Sequence, residues 1–380
     1  MYFDLTDEER MIQETAREFA NNEIAPVADR NNRESIFPSD IIKKLGELGF
    51  MGINVPEEYG GANLGNFCVV LVLEELNRVC ASTGVTVSVH HSLGNYPLTK
   101  WGTDAQKEKY LPRLASGELL TAYALSEPDA GSDAASLTTT AVKDGNEYVL
   151  NGVKSFISSA HEAGMFIVMA KTDPSERARG ISAFILEPDM KGFSIGKKED
   201  KMGMRASCTN EIAFEDVRVP AENLLGGEGM GFKIAMDALD GGRIGIGTQA
   251  VGIAQACLDA SVAYAREREQ FGKQIGAFQA IQWKIANMAT NIHAARLMVY
   301  HAARLKDRGL PHTKEAAMAK LFASEMANDV AKDAVQIHGG AGYTIDFPVE
   351  RYFRDAKVTE IYEGTSEIQR IVISRSLLKD

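Results

Sequence analysis

One carboxylate near the C-terminal end of the sequence has neighbours that suit proton-transfer chemistry. Glu363 lies between Tyr362 and Gly364, and Thr365 could cap a helix that begins directly afterwards. A carboxylate beside an aromatic ring is partly desolvated, and desolvation raises its pKa towards the range of a general base. Gly364 would let a ligand approach the backbone. These residues alone leave two interpretations open: a catalytic base, or an ordinary loop glutamate before a capped helix.

Five other segments carry residues that could bind a ligand. They offer hydroxyls, aromatic rings, a fixed positive charge and glycines, and they cover residues 123–133, 154–158, 240–243, 268–272 and 336–340. Gly241 and Gly242 lie inside a helical pattern, where each glycine costs about 1 kcal/mol, so they require a packing or ligand reason. Taken singly, the segments could equally be a turn, a strand, a helix crossing, a solvated arginine and a helix end.

Composition and absent motifs exclude several classes of protein. The chain has 380 residues, 45% hydrophobic and 24% charged, which indicates a globular protein with room for two or three domains. A net charge of −11 disfavours nucleic acid and anionic membranes as partners. The sequence lacks a G-x-G-x-x-G fingerprint, a Walker A loop, a G-x-S-x-G elbow and an H-E-x-x-H motif. Its four cysteines form no C-x-x-C pair, so we expect neither disulfides nor a bound metal.

The N-terminal sequence and the lengths of the apolar runs bear on the location of the protein. The N-terminus lacks the basic and apolar regions of a signal peptide, and no apolar run approaches the ~20 residues that cross a bilayer. We therefore expect a cytoplasmic protein without a membrane segment.

Periodicity divides the chain into three predicted domains. Residues 1–118 are helical, with capping boxes at Thr6–Glu9 and Thr103–Gln106. Residues 119–226 carry short β-like runs between turn signals, which predicts an antiparallel sheet or barrel. Residues 227–380 predict a four-helix-type bundle with helices over about 228–265, 278–308 and 314–338, completed by the terminal helix. Thr313 could cap the third of these.

The motifs, in this order and spacing, resemble the acyl-CoA dehydrogenase family over essentially the whole chain, and its short-chain branch most closely. The resemblance implies an α+β multidomain fold: an N-terminal all-α domain, a middle β domain and a C-terminal α bundle. It also implies FAD as cofactor, a homotetramer, and electron-transferring flavoprotein as the partner that receives electrons.

The reaction that the resemblance implies is α,β-dehydrogenation of a short-chain acyl-CoA, whether linear, branched or cyclic, to the 2-enoyl-CoA. Glu363 would remove the α-proton, its backbone N–H would stabilise the developing enolate, and the hydride would pass to flavin N5. Some relatives, of the isovaleryl and long-chain types, carry the catalytic glutamate at the position of Gly242. Because glycine cannot act as a base, Glu363 is left as the candidate.

The resemblance also implies the remaining contacts. Residues expected to contact FAD are Tyr123, Leu125, Ser126, Gly131, Ser132, Phe156, Ile157, Ser158, Arg268, Phe271, Gln279, Gln336, Ile337, His338, Gly339, Gly340, Thr365 and Glu367. Residues expected to contact acyl-CoA are Ser132, Asp240, Arg243, Tyr362 and Gly364. Phe156 and Ser158 stand where the family has tryptophan and threonine. Arg268 suits a diphosphate, and the resemblance places it across a subunit interface.

The choice of substrate and direction stays open. Gly84 occupies the place where glutaryl-CoA dehydrogenases carry an arginine, which disfavours a dicarboxylyl substrate. His90 and His91 are interpreted as surface or core histidines rather than catalytic ones. The alternatives are an acyl-CoA oxidase-like flavoenzyme, a non-catalytic acyl-CoA-binding paralogue, and the same site running as an enoyl-CoA reductase.

Overall fold

The computed structural model describes residues 4–378 and begins with a helical region. The helices that precede the first strand are α1 (Asp7–Phe19), α2 (Ala25–Glu34), α3 (Ser39–Glu47), α4 (Gly65–Val79), α5 (Ala81–Val89), α6 (Tyr96–Trp101) and α7 (Asp104–Ala115). Both predicted capping boxes are confirmed. Thr6 accepts from the Glu9 N–H while Glu9 accepts from the Thr6 N–H, and Thr103 and Gln106 form the same pair at α7. Helices α4 and α5 are buried on nearly all sides, which places them at the centre of the molecule.

A sheet follows the helical region. Its strands are β1 (Thr121–Ala124), β2 (Thr140–Asp144), β3 (Glu147–Ser158), β4 (Met165–Lys171), β5 (Ile181–Leu186), β6 (Phe193–Lys198), β7 (Thr209–Pro220) and β8 (Leu224–Leu225). The order across the sheet is β6-β7-β3-β2-β4-β5-β8, and β1 also pairs with β4. Most pairings are antiparallel, as predicted, but β4 runs parallel to β1 and to the first residue of β2. The sheet is therefore mixed around β4.

Strand β4 connects the sheet to the rest of the molecule because both of its faces are buried. Met165, Ile167 and Met169 point into the core shared with the helices. Phe166 and Val168, at the alternate positions, point into a second core formed by the sheet itself. A strand enclosed on both faces has a continuous apolar sequence, as this one does.

Long helices make up the C-terminal region. They are α8 (Gly231–Glu267), α9 (Gln279–Asp307), α10 (Thr313–His338), α11 (Val349–Lys357) and α12 (Ser366–Leu377). A short hairpin of two strands, β9 (Glu269–Gln270) and β10 (Lys273–Gln274), follows α8. The predicted long helices are confirmed to within a few residues at each end. Helices α8, α9 and α10 pack on one another, α12 packs on α10, and α4 packs against α8 and α9. Helix α4 of the N-terminal region thus packs on α8 and α9 of the bundle, whereas α12 packs on α10.

The transitions between helix and strand fall between Ala115 and Thr121 and between Leu225 and Gly231. The domain limits at 118/119 and 226/227 remain predictions. Within residues 4–378, the helices lack the length of apolar sequence that a membrane span requires. The cytoplasmic location also remains a prediction.

Candidate functional site

Glu363 lies in a short loop between α11 and α12 whose backbone is strained. Glu363 has φ 55° and Gly364 has φ 91°, so two consecutive residues are in the left-handed region. For a residue other than glycine, this conformation is uncommon and persists only when the surroundings hold it. Thr365 caps α12 as predicted, since its side chain accepts a hydrogen bond from the Ile368 N–H at 3.4 Å.

Three buried polar side chains hold this loop. Nζ of Lys320 donates to the carbonyl oxygen of Gly364 at 2.8 Å. Nε2 of Gln369 donates to the carbonyl oxygens of Glu363 at 3.1 Å and Gly364 at 2.8 Å. The Tyr362 hydroxyl donates to Oε1 of Gln249. Because backbone carbonyls inside a protein must be satisfied, these contacts fix the path of the loop.

The sequence analysis did not identify these three supporting residues. Lys320, Gln369 and Gln249 each have a relative exposure of 0%. A signal was present for Lys320, which interrupts an alanine-rich run at positions 316–327 of the predicted third helix. A lysine that shares a helix face with buried alanines needs a specific partner.

The carboxylate of Glu363 is enclosed, although other atoms of the residue reach solvent. Its Oε2 atom is buried and has no hydrogen-bond partner among residues 4–378. It faces α8 at Gly242, where a Cβ would overlap with Oε2. At the adjacent Gly241, a Cβ would overlap with Nζ of the buried Lys306. The two glycines of α8 therefore leave space for two buried charged groups.

Burial controls the acidity of Glu363. It raises the pKa of the carboxyl to about 7, although the positive charges of Arg243 and Lys320 oppose the rise. The hydroxyls of Tyr123 and Tyr362 also have raised pKa values, first because they are buried and second because the Glu363 charge is close. Glu363 thus has the acidity of a general base that works near neutral pH, as its neighbours in the sequence predicted.

Asp240 and Arg243 form a buried ion pair one turn apart on α8. Nη1 of Arg243 lies 2.6 Å from Oδ1 of Asp240. Oγ1 of Thr313 donates to the other carboxylate oxygen at 2.5 Å. The prediction that Thr313 caps α10 is therefore wrong, since α10 begins at Thr313 and His312 holds the capping position without a side-chain bond. The tertiary contact with Asp240 takes the hydroxyl instead.

The two predicted cofactor segments of the sheet region are held together by a buried ion pair. Nζ of Lys154 lies 2.8 Å from the Glu127 carboxylate and 3.2 Å from the Leu125 carbonyl oxygen. Burial alone would raise the pKa of Glu127, but the Lys154 charge and bonds from Thr138 and Thr139 lower it to about 2. Burial lowers the pKa of Lys154 to about 8. This pair, which the sequence analysis also missed, joins the segment after β1 to β3.

The residues around this ion pair differ in exposure. Tyr123 and Leu125 are buried, Ser126 is half-buried, and Gly131 and Ser132 are exposed.

Phe156 projects from the sheet at a β-bulge. Its φ is 59°, its exposure is 70%, and the pairing of β3 with β7 shifts between Lys154 and Ile157. Ile157 is buried and Ser158 is half-buried. A bulge changes the direction of side chains, and here it turns the ring of Phe156 outwards, two positions before the hydroxyl of Ser158.

The remaining predicted cofactor residues, except Glu367, lie at the ends of the long helices. Arg268 and Phe271 follow the end of α8, and Phe271 has an exposure of 93%. Gln279 is exposed at the start of α9, and Gln336 is exposed near the end of α10. Glu367 is exposed on α12. At a rise of about 1.5 Å per residue, the stretch of α8 from Arg243 to Glu267 is about 36 Å long.

The end of α10 offers mainly backbone to a ligand. Ile337 is part of the core, and His338 is buried with its ring stacked on Tyr264 at 4.3 Å. Gly339 and Gly340 have no atom within 4 Å of the position that a Cβ would take. A ligand could therefore approach the two glycines, whereas the side chains of Ile337 and His338 point inwards.

The two neighbouring histidines belong to the core. His90 and His91 each have an exposure of 1%. Burial lowers their pKa values, to about 3 for His90 and about 4 for His91. The His91 ring nitrogens contact Asn54 Oδ1 and the Phe50 carbonyl oxygen, so the ring connects the segment between α5 and α6 to the loop after α3. The interpretation of a core histidine is confirmed. Within residues 4–378, no group of three His, Cys, Asp or Glu residues is arranged to bind a metal ion.

Comparison with known proteins covers the whole chain. The family descriptions "Acyl-CoA dehydrogenase" N-terminal, middle and C-terminal domain match residues 6–118, 122–217 and 229–378. The acryloyl-CoA reductase (NADH) of Anaerotignum propionicum is 52% identical over 100% of this chain and 96% of its own length. The short-chain specific acyl-CoA dehydrogenase of Clostridium acetobutylicum is 50% identical over 100% of both chains.

A solved structure also matches along its full length. It is described as the electron transferring flavoprotein of Acidaminococcus fermentans, towards a mechanism of flavin-based electron bifurcation. The matched chain superposes with a TM-score of 0.99 at 53% identity and covers 100% of both chains.

We predict that Glu363 titrates near neutral pH. A carboxyl with a raised pKa is protonated below that value and ionised above it, so its protonated-carboxyl infrared band should fade as the pH rises through about 7. The band is isolated by subtracting the spectrum of the Glu363→Gln variant. Glu367→Gln is the matched control, because Glu367 is exposed and its pKa is lowered. A Glu363 band that disappears near pH 4.5 would contradict the prediction.

We predict that Lys154→Met destabilises the protein strongly. Removing one partner of a buried ion pair leaves an uncompensated charge, which typically costs about 3–5 kcal/mol. The urea midpoint should fall, and the double substitution Lys154→Met with Glu127→Gln should recover part of the loss. Arg177→Met breaks the exposed pair with Asp133 and should change the midpoint little. Equal losses in the single and double variants would rule out an unpaired Glu127 as the cause.

Proposed function

The chain belongs to the acyl-CoA dehydrogenase family, and we propose that Glu363 is the base with which it removes the α-proton of a short-chain acyl-CoA. The enzyme is an FAD-dependent oxidoreductase that dehydrogenates short-chain acyl-CoA. The observation that carries the assignment of the base is the enclosed carboxylate of Glu363 opposite Gly242. Among the described side chains around the Glu363 loop, Glu363 alone combines a pKa near neutrality with a carboxylate oxygen that lacks a hydrogen-bond partner.

The residues present fit FAD. The ring of Phe156 is turned outwards by the bulge, as required for contact with a flat ring system. Backbone at Gly339 and Gly340 is open to close approach. Arg268 is an exposed guanidinium, which binds diphosphate oxygens in pairs. We propose these residues as the main FAD contacts, with Ser126, Ser158 and Thr365 adding hydrogen bonds.

The protein residues supply the base, the position of the substrate and the exclusion of water. FAD, when bound, supplies the acceptor for the β-hydride. Glu363 accepts the α-proton, and its pKa of about 7 means that the carboxylate is available near neutral pH. We propose that the Glu363 backbone N–H, whose direction is set by the positive φ of this residue, donates to the thioester carbonyl. Arg243, fixed by Asp240, adds positive charge beside the same site.

A short acyl chain without a distal carboxylate fits the surroundings of Gly84. A Cβ at this position would overlap with the side-chain amide of Asn77, which is buried. The arginine that would bind a second carboxylate therefore has no room here. We propose a monocarboxylic short-chain acyl group as the substrate, in agreement with the short-chain relative of Clostridium acetobutylicum.

The reverse reaction is a second candidate. The relative from Anaerotignum propionicum is described as an acryloyl-CoA reductase, and it is as similar to this chain as the dehydrogenase is. A site that stabilises the enolate between the two forms accelerates both directions, so the redox partner decides which one runs. We propose electron-transferring flavoprotein as that partner, supported by the solved structure from Acidaminococcus fermentans.

We also propose that the FAD sites are shared between subunits of a homotetramer. The length of α8 between Arg243 and Glu267, about 36 Å, exceeds the span of one FAD from its flavin ring to its diphosphate. A flavin that lies beside the substrate at Glu363 therefore cannot have its diphosphate at Arg268 of the same chain. If Arg268 binds FAD, it serves the cofactor of another subunit.

We predict that Glu363→Gln abolishes dehydrogenation but keeps binding. The amide preserves the shape but cannot accept the α-proton, so flavin bleaching by butyryl-CoA under anaerobic conditions should slow by more than the ~10²–10⁴ typical of general-base catalysis. FAD content and acyl-CoA affinity, measured by absorbance and calorimetry, should persist. Glu367→Gln is the control: because Glu367 is an expected FAD contact, the rate is compared per bound FAD, and it should stay near the wild-type value. Rapid bleaching by Glu363→Gln would place the base elsewhere.

We predict that Arg268→Ala weakens FAD retention and assembly together. The substitution removes a diphosphate ligand that, on this proposal, also joins two subunits. Sedimentation velocity should show smaller species in proportion to the loss of FAD absorbance. Arg266→Ala, two residues earlier on the exposed end of α8, is the control. An Arg268→Ala tetramer with full FAD content would disprove the shared site.

A further inference from the structure

We propose that Lys320 is a positioning residue that favours the ionised form of Glu363 and holds the backbone of the Glu363 loop. The inference rests on the proposed role of Glu363 as the base. Lys320 lies on α10, 43 positions before Glu363 in the chain, and its side chain has an exposure of 0%. Nζ of Lys320 donates to the carbonyl oxygen of Gly364 at 2.8 Å.

The hydrogen bond of Lys320 acts at the strained point of the loop. The peptide after Glu363 is oriented by two consecutive left-handed residues, Glu363 and Gly364. Nε2 of Gln369 donates to the same Gly364 oxygen and also to the Glu363 oxygen. Lys320 and Gln369 thus hold one carbonyl from two sides. If the Gly364 carbonyl oxygen required only a hydrogen-bond donor, a neutral amide such as that of Gln369 would be sufficient at position 320.

The charge of Lys320 adds a second effect. Burial opposes its protonation, and the Glu363 carboxylate is foremost among the charges that favour it. Lys320 is in none of the ion pairs found within residues 4–378, so no adjacent carboxylate neutralises its charge. Arg243, the other cation that faces Glu363, is paired with Asp240 at 2.6 Å. Arg243 has the larger effect of the two on the pKa of Glu363, and Lys320 is the one whose charge is in no ion pair among the described residues.

The groups around the pair are few and have clear effects. Among residues 4–378, Tyr123 and Tyr362 are titratable side chains on which the Glu363 charge acts, and both have raised pKa values, so they stay neutral near pH 7. On the Lys320 side, Glu360 and Glu367 add smaller attractions and Arg243 adds repulsion. Loss of the Lys320 charge would consequently leave Glu363 with Arg243 alone. The carboxylate would become less favourable, and its pKa would rise.

The test compares Lys320→Met with Gln369→Leu. Methionine has a similar length but removes both the charge and the donor, whereas leucine at 369 removes a donor and no charge. The first measurement is the infrared titration of the Glu363 carboxyl. In Lys320→Met its midpoint should move upwards by about one unit or more, the usual effect of losing a nearby opposite charge. In Gln369→Leu it should stay near about 7, as in the wild type.

The second measurement is the rate of anaerobic flavin bleaching by butyryl-CoA as a function of pH. The base form of Glu363 is populated above its pKa, so a higher pKa removes activity mainly at low pH. For a shift of one unit, the ratio of wild-type to Lys320→Met rates should be about tenfold larger at about pH 6 than at about pH 9. Gln369→Leu should lower the rate by the same factor at every pH, since it affects geometry alone.

The outcomes separate this inference from the proposed function. An unchanged Glu363 midpoint in Lys320→Met, with a rate ratio independent of pH, would reduce Lys320 to a structural anchor and overturn the inference. If the wild-type protein is active and the Glu363→Gln variant is inactive, the proposed role of Glu363 as the base still holds, whatever the result for Lys320. If Lys320→Met does not fold, Lys320→Arg replaces it: a retained charge should keep the midpoint near about 7 even where the altered hydrogen bond slows the reaction. A shifted midpoint in Lys320→Arg would also overturn the inference.

Discussion

A carboxylate that must carry charge inside the protein is the constraint around which the C-terminal region is arranged. Moving an ionised group out of water is costly unless opposite charges or hydrogen bonds compensate. For Glu363 the compensation is partial: Arg243 and Lys320 contribute their fields, and neither forms an ion pair with it within residues 4–378. A pKa of about 7 follows from this balance. Full pairing would have made Glu363 a weak base, and complete isolation would have kept it protonated.

Helix α8 makes room for the Glu363 carboxylate and for Lys306 because two of its residues are glycines without side chains. Gly241 and Gly242 weaken α8 locally, since glycine is a poor helix former. The space that they leave is occupied by Lys306 and Glu363, two buried groups of opposite charge. Helix stability is thus reduced at the point where the site needs room, and the extensive packing of α8 on α10 and α4 offsets the loss.

The sheet region contains a carboxylate with the opposite environment. Glu127 is fully paired with Lys154 and hydrogen-bonded by Thr138 and Thr139, and its pKa falls to about 2. It therefore stays ionised and acts as a fixed clamp between the segment after β1 and β3. Glu363, with an unpartnered oxygen, is able to change its protonation state. Two residues of one type thus differ in their ability to change protonation state according to how completely their charge is satisfied.

The sequence alone determined the features that depend on neighbours along the chain. Helix starts such as the Thr103–Gln106 capping box, the ends of the long helices and the candidacy of Glu363 all follow from residues within one or two turns. The supports of the site could not be inferred in this way. Lys320 meets its acceptor across 44 positions, and Gln249 meets Tyr362 across 113. Such contacts arise only when α8, α10 and the terminal loop pack together, because burial, and with it the pKa of a carboxyl, is a property of the folded interior rather than of local sequence.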